Sequence, residues 1–263
     1  MIKRINFLII VPPRGLLSLL FGLLATVAIA QAAQADEWDF VVAPYGLLPS
    51  ISGDTSLGRI DGVDVDVSPG DILEVLEFGA MLQAEAHHQS GFGVLLNYAF
   101  MKLGDGASGP LELADIQVDI FQGMLEGYGI YRLKFPSSVL DLYAGARWWD
   151  INIDVDATTP RGSRSYSRDE DWVDPVVGLR WSPQIAEDWR LVAQGDVGGF
   201  GVSSDFSWNL QAGVLWDVKK WCSLVLMYRY LSVDYDTGQS GSSNYFQYDT
   251  VTQGPIFGAA FRF

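Results

Sequence analysis

One cysteine occurs in 263 residues, Cys222, so no internal disulfide can hold the fold. Histidine is almost as scarce, with His87 and His88 the only two. A serine hydrolase needs a histidine beside its nucleophile, and no histidine stands elsewhere in the chain to supply one. Neighbouring residues on a strand point to opposite faces, so the two histidines cannot act on one group; His87 beside Glu85 is left as a general-base candidate, against an interfacial histidine. Basic side chains number 17 against 32 acidic ones, a formal net charge of −15. Such a surface repels nucleic acid and gains nothing from an anionic bilayer. From Asp36 onward no run of about 18 apolar residues occurs, which excludes a spanning helix there.

What is present begins with a leader. Lys3, Arg4 and Arg14 precede an apolar stretch from Leu16 to Ala30, and "AQA" at 33–35 supplies the small residues a leader peptidase needs. Residues 1–35 therefore read as an export signal cut before Asp36, and "PPRG" at Pro12 to Gly15 interrupts the alternative, a membrane anchor. The remainder, 36–263, carries 14 basic and 32 acidic side chains, a net of about −18, and reads as one domain.

Most of that domain alternates with period two. Ten strand-like runs are expected, near 38–47, 77–89, 92–103, 114–133, 140–155, 171–181, 189–200, 206–218, 221–235 and 246–263. Connections after the odd runs are mostly long and polar, such as "ATTPRGSRSYSRD", whereas those after the even runs are short, such as "SG" and "KK". A sandwich has no reason to alternate its loops in this way, and an outer-membrane barrel does. The expected fold is all-β, a closed antiparallel transmembrane barrel of ten strands, with eight or twelve also compatible. The final "GPIFGAAFRF" places Phe257, Phe261 and Phe263 on one face, toward lipid, and pairs with the strand starting at Trp38 to leave no open edge. Trp38, Trp148, Trp181, Trp189, Trp216, Trp221 and Tyr230 recur near strand ends, where an interfacial girdle belongs.

The inward face collects Glu85, Glu126, Asp141, Asp174 and Asp196 with Arg147, Arg180, Arg190, Arg229 and Arg262. Near-balanced charge suggests a salt-bridge network filling the lumen, in preference to an ion path or substrate cluster. "GDVGGFG" leads into another strand rather than a helix, which removes a phosphate-loop reading. Asp61, Asp64, Asp66 and Asp71 lack the spacing of a calcium loop, leaving a solvated loop or a weak divalent site. "SPGDILEVLE" carries an N-cap serine, a proline at the first helical position and an acid three residues after the cap, so a short helix is expected in the first long loop, as a lid over the mouth or packed on the rim.

In order along the chain, "APYGLLPSISG", "DVDVSPGDILEVLEFGAMLQAEA", "GVLLNYAFMKLGD", "LYAGARWWD", "DWVDPVVGLRW", "GDVGGFGVSSDFSWNLQAGV", "YRYLSVDYD" and "GPIFGAAFRF" resemble blocks of a family of small, largely uncharacterised Gram-negative outer-membrane β-barrel proteins. The resemblance implies the outer membrane, lipid and lipopolysaccharide as surroundings, and the barrel-assembly machinery as a partner reading the terminal aromatic strand. It carries no catalytic residues and no cofactor. The expected role is non-enzymatic, structural or in small-solute and lipid handling. The alternatives are a narrow passage for small hydrophobic molecules and a rim hydrolase acting on lipopolysaccharide or peptides.

Overall fold

Alternation along the chain is realised almost entirely as strands. A computed structural model describes residues 37–58, 60–108, 115–159 and 162–263; the expected leader and its cleavage site lie outside them. The elements are β1 (Trp38–Leu47), β2 (Ser50–Leu57), β3 (Ile60–Val67), α1 (Pro69–Val75), β4 (Leu76–His88), β5 (Phe92–Ser108), β6 (Asp115–Phe135), β7 (Ser138–Thr159), β8 (Gly162–Ala186), β9 (Trp189–Gly198), β10 (Phe206–Lys219), β11 (Cys222–Thr237) and β12 (Phe246–Arg262).

The sheet runs β1-β4-β5-β6-β7-β8-β9-β10-β11-β12 and closes through a β1–β12 pairing, giving a barrel of ten strands. Closure is antiparallel, from Val41↔Arg262 to Leu47↔Ile256. No edge is left along the seam, so every strand finds its backbone partners within the barrel. Leu48 N–H still donates to Pro255 O on β12, and the pairing breaks at Pro49, which has no N–H to donate. β2 then resumes on the far half of β12, from Ser50↔Gln253 to Leu57↔Phe246, and β3 folds back along β2.

Two stretches expected as loops are therefore strands. "PSISGDTSLGRIDGVDVDV" is largely the β2–β3 hairpin, and "ATTPRGSRSYSRD" extends β7 and β8 to Thr159 and Gly162. The long-hairpin rim thus rises as wall. It rises unevenly, because β9 ends at Gly198 and β10 starts at Phe206. Loop 199–205 bridges this low step: Gly199 N–H donates to Pro175 O, Ser203 Oγ to Val173 O, and Asp205 N–H to Asp234 O.

Polarity inverts along the barrel. Around its short-turn half the outward side chains are apolar and exposed, including Leu142, Val177, Leu179, Leu210, Leu226 and Phe257. Nearer the long-hairpin rim the outward positions become Asp154, Asp169, Asp171, Asp234, Asp236 and Asp249, while the inward ones become Trp149, Ile151, Trp172, Val233, Tyr235 and Tyr248. The first pattern suits a barrel in hydrocarbon and the second a barrel in water. The change falls between Trp148 and Asp150 on β7 and between Val173 and Asp171 on β8.

α1 matches the expected helix. Asp71 N–H donates to Ser68 Oγ at 3.3 Å and Ser68 N–H to an Asp71 carboxylate oxygen at 2.9 Å, a reciprocal cap. Ile72 is its buried residue, and the helix packs on β5, at the wall.

Candidate functional site

Among the described residues the lumen is where the fold concentrates charge away from water. Strand parity directs Glu85 on β4, Glu126 on β6, Asp141 and Arg147 on β7, Asp174 and Arg180 on β8, Asp196 on β9 and Arg229 on β11 inward, as alternation requires. With Arg190 on β9 and Arg262 on β12, which share this parity, they form three networks at different heights, and Asp174 joins none of them.

The middle network is a chain of contacts around the lumen. Tyr45 OH donates to Asn97 Oδ1 (2.9 Å), and Asn97 Nδ2 to Glu126 (2.7 Å). Arg147 Nε donates to Glu126 (2.8 Å) and its Nη2 to Asp196 (2.9 Å); Asn209 Nδ2 also reaches Asp196 (2.8 Å). Arg229 Nε donates to Asn209 Oδ1 (3.1 Å), and Arg229 Nη2 lies 3.5 Å from Glu126, on the strand five places round the ten-strand barrel. Arg147 is wholly inaccessible and Asp196 6% exposed, so each charge depends on these partners rather than on water.

A second network lies nearer the short turns. Arg180 grips Glu85 with both Nη atoms at 2.6 and 2.7 Å, four strands away across the lumen, and also bonds Asp141. Arg132 completes it with a two-point contact to Asp141 at 2.7 and 2.9 Å. His87 Nε2 lies 2.6 Å from Glu85, and His87 is 3% exposed. It is thus a lumen histidine rather than an interfacial one. Its ring lies over Gly93, where a Cβ would sit 2.6 Å from Nδ1. His88 instead contacts Ser90 in the tight turn.

Arg190 and Arg262 belong to a third cluster at the short-turn rim, both on Asp217, which Ser223 also contacts. Asp174 departs from the expected salt-bridge role. It accepts from Ser204 N–H (2.9 Å) and Ser204 Oγ (2.7 Å), because loop 199–205 folds inward and delivers those donors. The network members not singled out from the sequence are Tyr45, Asn97, Arg132, Asn209, Asp217 and Ser223. Asp217 and Asn209 had the correct parity, and Arg132 shares that of Glu126, so period two alone could have found them.

Above these charges the lumen holds packed aromatic rings. Trp172 stacks on Tyr235 with ring centroids 4.0 Å apart and planes 3° apart, spanning the low step between β8 and β11. Trp149 stacks on Trp172 (5.6 Å) and meets Tyr248, five strands away, at 6.2 Å. Arg168 pairs with Glu170 over this layer, and Arg168 also donates to Asn244 O.

Outside, Trp181, Trp189, Trp216 and Trp221 stand exposed near the short-turn rim, with Trp189 stacked on Trp216 and Trp221 on Phe261. Trp148 and Tyr230 mark the other end of the apolar belt, Tyr230 stacked on Trp208; Trp38 opens β1. Phe257 and Phe263 are exposed on the same outward parity. Among the described residues no group of three or more His, Cys, Asp or Glu is placed to hold a metal ion. Asp64 and Asp66 lie on β3, and Asp71 is engaged in the helix cap.

No protein-family model and no curated protein matches the chain. Among solved structures it is similar to the translocator domain of the autotransporter NalP from Neisseria meningitidis, at 12% identity and TM-score 0.51, covering 94% of this chain and 95% of that one. It is also similar to the outer membrane protease OmpT from Escherichia coli, at 11% identity and TM-score 0.50, covering 88% and 98%. At these identities the likeness concerns the fold alone, and the fold of this chain is that of an outer-membrane β-barrel.

Proposed function

We propose that the chain is a non-enzymatic integral outer-membrane protein whose lumen is closed, with a structural or small-solute and lipid-handling role. The observation that carries this reading is that side chains meet across the barrel at three heights, Arg180 on Glu85 lowest, Arg229 near Glu126 in the middle and Trp149 on Tyr248 above. In this reading the short turns lie in the periplasm and the long hairpins outside. The Trp181, Trp189, Trp216 and Trp221 cluster and the Trp148 and Tyr230 pair are the two interfacial girdles, in contact with lipid and lipopolysaccharide. Phe257, Phe261 and Phe263 form the strand that the assembly machinery engages. A rim hydrolase has little support, since both histidines lie toward the short-turn end, His87 on Glu85 and His88 on Ser90.

One observation favours the passage for small hydrophobic molecules as a second reading. Between β8 and β11 the upper wall is closed by loop 199–205 and the Trp172–Tyr235 stack instead of strand pairing, so it could open without breaking a β-ladder. Planar-bilayer conductance of the refolded chain from Asp36 tests both readings. Silence in the intact protein is expected. Steady openings would contradict a closed lumen, and openings that arise only when Trp172→Ala removes the stack would favour the side passage.

A further inference from the structure

Around and below the Arg180–Glu85 bridge the lumen is not filled: open space reaches from Arg190 and Arg262 at the short-turn rim to Glu126 and Arg229. A cavity of about 220 Å³ remains at the short-turn end. Its lining is mixed: β9 to β12 bring the apolar side chains Val192, Leu215, Val225, Met227 and Ile256 beside Gln194 and Gln211, and β4 to β8 bring His87, Glu85, Arg132 and Arg180. Arg190 and Arg262 stand at the mouth, with side chains 29% exposed.

The carboxylates here are saturated by internal donors. Both Glu85 oxygens accept from Arg180, with Gln83 and His87 adding one contact each. Asp141 is held by Arg132 and Arg180, and Asp217 by Arg190, Arg262 and Ser223. The guanidinium groups are not saturated. Arg132 and Arg190 each commit Nε and one Nη and keep the other Nη, and Arg262 commits a single Nη. Charge runs the same way: Arg132, Arg180, Arg190, Arg229 and Arg262 face Glu85, Glu126, Asp141 and Asp217, a surplus of one positive charge within a strongly acidic chain.

We propose that this vestibule binds a small amphipathic monoanion, a short aliphatic carboxylate, with its oxygens on the free guanidinium N–H groups near the mouth and its tail along Val192, Leu215 and Val225. The uncommitted N–H groups are available to an acceptor in place of water, and the single surplus charge matches a carboxylate better than a phosphate monoester, which carries about −1.5 to −2 at neutral pH. The apolar wall requires a tail. The volume sits below the ~300–1,000 Å³ of drug-sized sites, which keeps the tail short. This goes beyond a closed barrel and needs no conduction, since the site is a dead end open on one side.

The test uses hexanoate, acetate and hexylammonium titrated by calorimetry into the refolded chain from Asp36 in lipid nanodiscs, with empty nanodiscs subtracted. Hexanoate is expected to saturate at one per chain, acetate to bind at least about tenfold more weakly, and hexylammonium not to bind. Val225→Phe, which fills the apolar wall, and Arg190→Gln, which leaves Asp217 with Arg262, are each expected to weaken hexanoate about tenfold or more. Two substitutions of different chemistry guard against one that fails to fold, and refolding of each is checked by heat-modified gel mobility. No saturable hexanoate binding, equal binding of hexylammonium, acetate as strong as hexanoate, or hexanoate binding unchanged in both folded variants would overturn the proposal.

Discussion

Arg147 carries the sharpest energetic consequence in the barrel. It is wholly buried between Glu126 and Asp196, whose carboxylates share its guanidinium. Replacing it with methionine, of similar size, leaves Asp196 without a cation and Glu126 with Arg229 alone at 3.5 Å, and breaking a buried pair from one side costs about 3–5 kcal/mol. Arg147→Met should lower the urea-unfolding free energy in lipid vesicles by that amount; a change below about 1 kcal/mol would mean that water already hydrates this level. The identities of the lumen charges were legible in the sequence, because one parity on a strand faces one side. Their pairing was not. Asp174 and Arg147 are in register on β8 and β7, yet Asp174 bonds Ser204, a choice decided by the inward fold of a glycine-rich loop that leaves no periodic trace.

At the scale of elements, the hairpins above the apolar belt are acidic to the point of self-repulsion. Asp234, Asp249, Asp54 and Asp64 stand in register on four neighbouring strands, β11, β12, β2 and β3. Like charges directly opposite on a sheet destabilise it by about 0.2–1 kcal/mol per pair. Asp249→Asn, in the middle of the row, should therefore raise the unfolding midpoint at low salt, with a gain that fades as salt screens the row. A midpoint unchanged at low salt would show that the carboxylates splay apart. The β2–β3 hairpin itself was misread as loop because Gly, Ser and Asp dominate it, although Val63, Val65 and Val67 alternate with Asp64 and Asp66. Turn-forming composition outweighed a correct period. The helix beside it was legible, since its cap is written in consecutive residues. The Ser68 hydroxyl and amide hold the Asp71 carboxyl below the usual carboxylate range. A depressed acid stabilises its element above the ordinary value and loses that contribution as pH falls through the depressed one. Amide exchange at Asp71 and Ile72, corrected for intrinsic rates, should be level above about pH 5 and quicken at more acid pH; a level profile throughout would detach the cap from helix stability.

At the scale of the molecule, two barrels are stacked on one set of strands. The lower is apolar outside and charged inside, the upper acidic outside and aromatic inside. Closure, strand count and direction were readable from the alternation of long and short connections between strand-like runs and from the terminal aromatic strand. The inversion was not, because an alternating strand has the same period whichever face is wet; only three-dimensional neighbours such as Trp172 and Tyr235 show that the upper apolar face turns inward. The lumen, the belt and the vestibule all depend on that change of sign. Single nitroxide labels in the Cys222→Ser background, at Leu142, Val177 and Leu226 below and at Asp154, Asp169 and Asp236 above, test it directly in lipid vesicles. The account predicts that the first three labels relax with oxygen and resist a water-soluble nickel complex, and that the last three do the reverse; nickel access at Leu142, Val177 and Leu226 would contradict it.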